Sequence, residues 1–83
     1  MLRSGIVSAL KSRNVKVGDH RTSVRLEPEL WAALEEIAES EGRTIHDICT
    51  ALRNESAAMV GGLTSALRVY IVRGLRARIN QRA

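Results

Sequence analysis

Residues 21–26 limit the possible folds of this chain more than any other segment, because their side chains alternate in character. One side of the segment is apolar or β-branched and carries Thr22, Val24 and Leu26. The other side is polar and carries Arg21, Ser23 and Arg25. A period of two with β-branched residues on one side predicts a half-buried β-strand. Pro28 ends this strand and suits the first turn of a following helix.

Three helices are predicted after the strand. The first starts at Pro28 and ends at Gly42, a residue type that often caps a helix C-terminus. The second starts at Thr44, which makes a capping-box-like pair with Asp47. Its apolar face consists of Ile45, Ile48, Cys49 and Leu52. The third follows a loop at Gly61, and its apolar side is expected to consist of Leu67, Tyr70, Ile71, Leu75 and Ile79.

One strand followed by three helices leaves that strand without a partner, and even a two-stranded ribbon is marginal alone. Residues 14–17 alternate weakly and could fold back as a hairpin. The more economical solution pairs residues 21–26 with the same segment of a second chain across a two-fold axis. The two polar rows would then form a surface of six residues. The core of such a dimer is expected to contain Thr22, Val24, Leu26, Leu30, Trp31, Leu34, Ile37, Ile45, Ile48, Cys49 and Leu52.

The predicted fold class is therefore mainly α with one short β-strand, as an intertwined homodimer with an intermolecular antiparallel ribbon and a C-terminal third helix. This fold class divides the chain into four segments. Residues 1–19 are a basic, partly flexible arm, residues 20–55 are the strand and first two helices, residues 56–63 are a loop, and residues 64–83 are a C-terminal helix with a basic tail.

Charge is distributed unevenly along the 83 residues. The net charge is +4 overall, but it is +5 over residues 1–26, −6 over residues 27–60 and +5 over residues 61–83. Basic ends around an acidic middle indicate an anionic partner that is contacted through the ends. Three interpretations stay open for the C-terminal arginines: contact with DNA, contact with a membrane surface, or solvation of the tail. These residues are Arg73, Arg76, Arg78 and Arg82.

Several classes of protein are excluded or disfavoured. A single cysteine excludes an intramolecular disulfide framework and a Cys₂His₂ zinc site. No secretory signal and no uncharged apolar run of about 18 residues is visible in the sequence, so we expect a cytoplasmic protein that does not insert in a membrane. Cys49 and His46 are three residues apart, but Cys49 belongs to an apolar face and is expected to be an inert core residue. No metal site, cofactor site or catalytic constellation is predicted, so we expect no enzyme activity.

The polar row has the chemistry of a DNA-reading surface. A two-stranded ribbon fits the major groove, and arginine matches the O6 and N7 acceptors of guanine. Arg25 is the first candidate for a base contact, followed by Ser23 and then Arg21. The alternative is that these residues are only the solvated face of an edge strand.

The start of the second helix is a candidate phosphate site, because free N–H groups at a helix N-terminus bind anions. Its expected contacts are Arg43, Thr44, Ile45 and His46. Asp47 competes for the same donors, and Thr44 could instead be a purely structural cap.

The stretch HRTSVRLEPELWAALEEIAESEGRTIHDI, with the later SALRVYIV, resembles the ribbon-helix-helix (Arc/MetJ-type) family of bacterial DNA-binding proteins. The similarity covers about Val15 to Arg76, and a third helix marks a subgroup. The resemblance implies an intertwined dimer whose antiparallel ribbon enters the major groove. It also implies base contacts by Arg21, Ser23 and Arg25. The phosphate clamp of that family carries over to Thr44, Ile45 and His46.

The expected function is therefore that of a sequence-specific, DNA-binding transcriptional regulator, most often a repressor. The expected partners are double-stranded DNA and a second copy of the chain. One alternative is an antitoxin, whose C-terminal helix would dock on a toxin. Another is a protein-interaction dimer that keeps the fold without binding DNA.

Overall fold

A computed structural model of the chain describes residues 9–55 and 62–82. Its elements are β1 (Lys11–Val17), β2 (His20–Leu26), α1 (Pro28–Glu41), α2 (Ile45–Glu55) and α3 (Gly62–Arg82). The start of the predicted arm and most of the predicted loop lie outside the described residues.

The two strands form one antiparallel hairpin within the chain, in a register that runs from Lys11 opposite Leu26 to Val17 opposite His20. The prediction of one strand was therefore wrong: the weak pattern at residues 14–17 marks a second strand, which extends back into the predicted arm. Gly18 adopts a left-handed φ of 59° in the turn, a conformation that glycine reaches without steric cost. Because the turn is so short, pairing the two strands within one chain has a low entropy cost of loop closure.

The ends of α1 and α2 follow the predicted local signals. Pro28 is at the first turn of α1, and Gly42 ends this helix with a left-handed φ of 68°. Before α2, the Thr44 N–H donates to Asp47 Oδ2 at 3.1 Å, and the Asp47 N–H donates to Thr44 Oγ1 at 3.0 Å. The predicted capping box is thus confirmed. These caps fix where each helix begins relative to the hairpin.

The core closes within a single chain. Its largest side chains with almost no exposed surface are Trp31, Leu26, Leu34, Ile37, Ile48, Leu67, Ile71, Val24 and Cys49. All the residues predicted for a dimer core are buried or half-buried here; their sharing with a second chain stays a prediction. Val15 and Val17 of β1 also belong to this core, and the prediction of a single strand had missed them.

The helix α3 begins at Gly62 and packs on α1 as far along as Gly74 and Arg78. Leu67 and Ile71 are fully buried. Leu75 and Ile79, predicted on the same apolar side, are instead 37% and 67% exposed. Arg78, which lies between them in sequence, still donates to the backbone oxygen of Glu36 in α1 at 3.2 Å, so α3 stays next to α1 there while the apolar side chains of Leu75 and Ile79 are partly open to solvent.

Candidate nucleic-acid interface

The hairpin presents one apolar and one polar face, because side chains opposite each other in antiparallel strands share a face. The apolar face packs under the helices. The polar face, which we call the outer face, consists of six exposed residues: Ser12, Asn14, Lys16, Arg21, Ser23 and Arg25. The predicted row on β2 is thus exposed, and β1 adds three residues that the sequence pattern did not single out. Their signal was the alternation with Val15 and Val17 just before the glycine turn.

The outer face is positively charged and carries no acidic residue. Its cations, Lys16, Arg21 and Arg25, make no ion pair with any residue in 9–55 or 62–82. The face therefore keeps its full positive potential toward solvent.

Four of the eight carboxylates of the acidic middle, by contrast, are paired with arginines of the described residues. Four ion pairs place arginines on them: Arg13–Glu35 at 2.8 Å, Arg68–Glu27 at 2.9 Å, Arg43–Glu41 at 3.3 Å and Arg78–Glu36 at 3.4 Å. The guanidinium of Arg13 also lies 4.7 Å from the ring centroid of Trp31. The indole is buried in the core, where it cannot stack on a base. The distribution of acids therefore does not oppose an anion at the outer face.

Cross-strand contacts organise the outer face. The Ser12 and Ser23 hydroxyls hydrogen-bond each other at 2.6 Å, which limits the rotation of both side chains. Asn14 lies opposite Ser23, and Lys16 lies opposite Arg21. Like charges directly opposite each other on a sheet are destabilising in the free protein. An anion bound between Lys16 and Arg21 would therefore reduce the repulsion between these two cations.

The start of α2 lies along the edge of β1 that faces away from β2. The Lys16 N–H donates to Nδ1 of His46 at 2.9 Å, and the Gly18 N–H donates to Oγ1 of Thr50 at 3.0 Å. Because Nδ1 of His46 accepts, the neutral imidazole carries its proton on Nε2. A shallow pocket of about 230 Å³ forms at this junction and is lined by Asn14, Val15, Lys16, Arg21 and His46.

The predicted phosphate residues are only partly brought together. His46 is exposed beside β1, whereas Arg43 pairs with Glu41, and both Thr44 groups bond Asp47. Hydrogen bonds from the Thr44 backbone and hydroxyl hold the pKa of Asp47 below its usual value, so this carboxylate stays charged near the helix N-terminus. The roles of these four residues as phosphate contacts, and of the β2 row as base contacts, stay predictions.

The other candidate chemistry lies apart from this surface. Cys49 is fully buried, and burial raises the pKa of its thiol to about 11. Among the described residues no cluster of three or more His, Cys, Asp or Glu side chains is positioned to ligate a metal. Over the same ranges, no helix is both long and apolar enough to span a bilayer.

Comparison with known proteins adds one match. The profile of the ribbon-helix-helix domain matches residues 10–75, a range that covers both strands, α1, α2 and the buried part of α3. Searches of curated proteins and of solved structures found no match. Since the match spans most of the chain, the chain belongs to the ribbon-helix-helix domain family.

Proposed function

We propose that this protein is a sequence-specific transcriptional regulator, most simply a repressor, which acts in the cytoplasm and inserts its ribbon in the major groove of DNA. Membership of the ribbon-helix-helix family indicates a DNA-binding regulator in general. The observation that carries the proposal is the outer face, which has no acid and whose three cations form no ion pair within residues 9–55 and 62–82. The proposal assigns no enzymatic activity to the chain.

Base readout falls to the middle and end of β2. Arg25 is exposed and without an ion pair among the described residues, so its guanidinium is available for the paired acceptors of guanine. Ser23 is held by Ser12 and offers one hydroxyl, which discriminates less between bases. Arg25 is therefore the main determinant of sequence preference in this proposal.

Dimerisation through the second edge of β2 is part of the proposal. The Lys16 N–H points away from β2 to His46, so Lys16 and Arg21 form a pair without mutual backbone hydrogen bonds. By the alternation of an antiparallel ladder, the backbone groups of Arg21, Ser23 and Arg25 then point away from β1. No side chain in the described part of the chain caps them.

The two edges of the hairpin are thus unlike each other. The edge of β1 is covered by His46 and Thr50 of α2, whereas the edge of β2 presents an uncapped row. Uncapped edges are templates for pairing with another strand. A second copy placed there, antiparallel across a two-fold axis, gives a four-stranded sheet in the order β1-β2-β2-β1, with both outer faces on the same side.

The test is fluorescence anisotropy with the full chain and labelled duplexes, after selection from a random duplex library. We expect one enriched motif, and log K that falls linearly with log salt concentration for all duplexes. A flat salt response, or no binding at low salt, would overturn the proposal. A selection that enriches no motif would remove sequence specificity but leave DNA binding.

A second candidate function rests on α3. Its exposed side chains include Val69, Val72, Leu75 and Ile79, between 37% and 67% accessible. Such a surface fits a protein partner, as in an antitoxin that docks on a toxin or in an interaction dimer without DNA. Replacing both Arg21 and Arg25 with glutamate separates the candidates: a regulator loses its DNA, whereas a pure interaction module keeps its partner.

A further inference from the structure

The junction of β1, β2 and α2 has a role that neither the family match nor the row on β2 assigns. We propose that Lys16, Arg21 and the Nε2–H of His46 form a binding site for a backbone phosphodiester of the DNA. This inference rests on the proposed function and deepens it, because it moves Arg21 from base contact to phosphate contact, adds Lys16, and joins to them His46, which was already predicted as a phosphate contact.

The first argument is electrostatic. Lys16 and Arg21 are exposed, lie directly opposite each other and have no acidic partner among the described residues. Because they form a pair without mutual backbone hydrogen bonds, their Cα atoms approach to about 4.5 Å, the closer of the two antiparallel spacings. Two cations held this close attract an anion that bridges them.

The second argument is that His46 supplies a hydrogen-bond donor in addition to Lys16 and Arg21. The imidazole of His46 is fixed by the hydrogen bond that Nδ1 accepts from the Lys16 backbone at 2.9 Å. Its proton is therefore on Nε2, and the ring lines the same shallow pocket as Lys16 and Arg21. The pocket thus combines two charges and one neutral donor, a set suited to the oxygens of a phosphodiester. The carboxylate of Asp47, which follows His46 in sequence, accepts a hydrogen bond from the Thr44 N–H.

The third argument is the width of the sheet. Adjacent strands lie about 4.8 Å apart, so in the four-stranded sheet the two β1 strands are about 14 Å apart. The major groove is about 12 Å wide. The central β2 strands consequently face the base edges, while Lys16 on β1 lies over the groove wall, where the phosphates are. His46 lies farther out, on the helix that covers the edge of β1.

The experiment compares K16Q with K11Q on two unrelated duplexes and across a salt series. Lys11 is the matched control, since it is an exposed lysine of the same strand on the opposite face. We expect K16Q to weaken binding to both duplexes by a common factor, on the order of tenfold. The salt slope should become shallower by about 0.9 for each phosphate that the variant no longer neutralises. K11Q should change the affinity and the salt slope much less than K16Q does.

A charge reversal gives an independent readout. In the free protein K16E replaces a repulsive pair by an attractive one across from Arg21, so its melting temperature should rise while its affinity for DNA falls. The backbone N–H to His46 is kept in both variants, so the hairpin edge is not perturbed.

The outcomes separate the two proposals. If the wild type binds no DNA, both the function and this site are overturned. If the wild type binds and K16Q behaves as K11Q does, only the site is wrong. The site is also wrong if K16Q changes the preferred sequence, because Lys16 would then read bases.

Discussion

The indole Nε1 of Trp31 donates a hydrogen bond of 2.9 Å to the carbonyl oxygen of Lys11, which ties α1 to the first residue of β1. Trp31 is 1% exposed, so the bond combines with a large buried ring to hold the hairpin on the helices. The position of β1, and with it half of the outer face, depends on this contact.

The variant W31F keeps an aromatic ring but loses the donor. We expect it to lower the free energy of unfolding by about 1–2 kcal/mol, because the carbonyl loses a partner and the smaller ring packs less well. W31A should cost roughly 3–5 kcal/mol. Urea unfolding followed by far-ultraviolet circular dichroism measures both. Equal costs for the two variants would show that the hydrogen bond, and not the ring, dominates.

The unlike edges of the hairpin allow a matched test of the dimer. Proline removes a backbone N–H, and the N–H groups of both Asn14 and Ser23 point away from the partner strand within the chain. S23P should abolish dimers, because it removes a donor from the uncapped edge of β2. N14P alters the edge next to α2 and should stay dimeric. Light scattering at micromolar concentration gives the molar mass of the wild type and of both variants, and so shows which of them are dimers. A monomeric wild type would contradict the proposed assembly.

The close approach of α1 and α3 occurs at Gly74. A Cβ added there would lie 2.7 Å from the Cδ1 of Ile37, which is 2% exposed and has little room to move. G74A gains up to about 1 kcal/mol of helix propensity but overpacks this contact, which typically costs about 1–3 kcal/mol. We therefore expect a net loss of stability.

Ile37→Val removes the clashing Cδ1, so the same G74A change should be neutral or stabilising in that background. A double-mutant cycle by thermal or urea unfolding should give a coupling of roughly 1 kcal/mol or more. Additive effects would mean that α3 shifts away from α1 rather than compressing Ile37.

Local signals in the sequence predicted the helix starts and ends well, since Pro28, Gly42 and the pair of Thr44 and Asp47 act through neighbouring backbone groups. The strand β1 was not predicted as such, because only Val15 and Val17 are apolar in it. Its other inward positions, Lys11 and Arg13, are charged, and their placement depends on α1 through Trp31 and Glu35. Contacts of that kind come from tertiary packing, which a local pattern does not encode.

The candidate interface was predicted to a similar extent. Alternation alone correctly placed Arg21, Ser23 and Arg25 on an exposed face. It could not show that Lys16 lies opposite Arg21, since that register depends on the turn at Gly18. Nor could it show that His46 reaches the edge of β1, which depends on how α2 packs on the hairpin.

Burial of Cys49 gives a prediction for alkaline pH. The pKa of its thiol is raised from 9.0 to about 11 in the folded chain, so between these values the unfolded chain loses a proton that the folded chain keeps. The stabilising contribution of the neutral thiol is therefore complete below pH 9 and is lost as pH rises toward 11. C49A should flatten the decline of stability over that interval. A thiol that iodoacetamide modifies as fast in the native chain as in urea at pH 8 would contradict the burial.

Arg25 provides the sharpest test of base readout. A bidentate contact with guanine is worth about 1–3 kcal/mol of discrimination. We therefore expect one base pair of the selected motif at which R25A no longer discriminates, so that duplexes that differ only there bind R25A with nearly equal affinity. Its binding to unrelated duplexes should fall much less. R73A on α3, which also removes one exposed arginine, should leave the preference at every base pair unchanged. If R25A instead weakens binding to all duplexes by the same factor, Arg25 contacts a phosphate, and the sequence preference must come from other residues of the outer face.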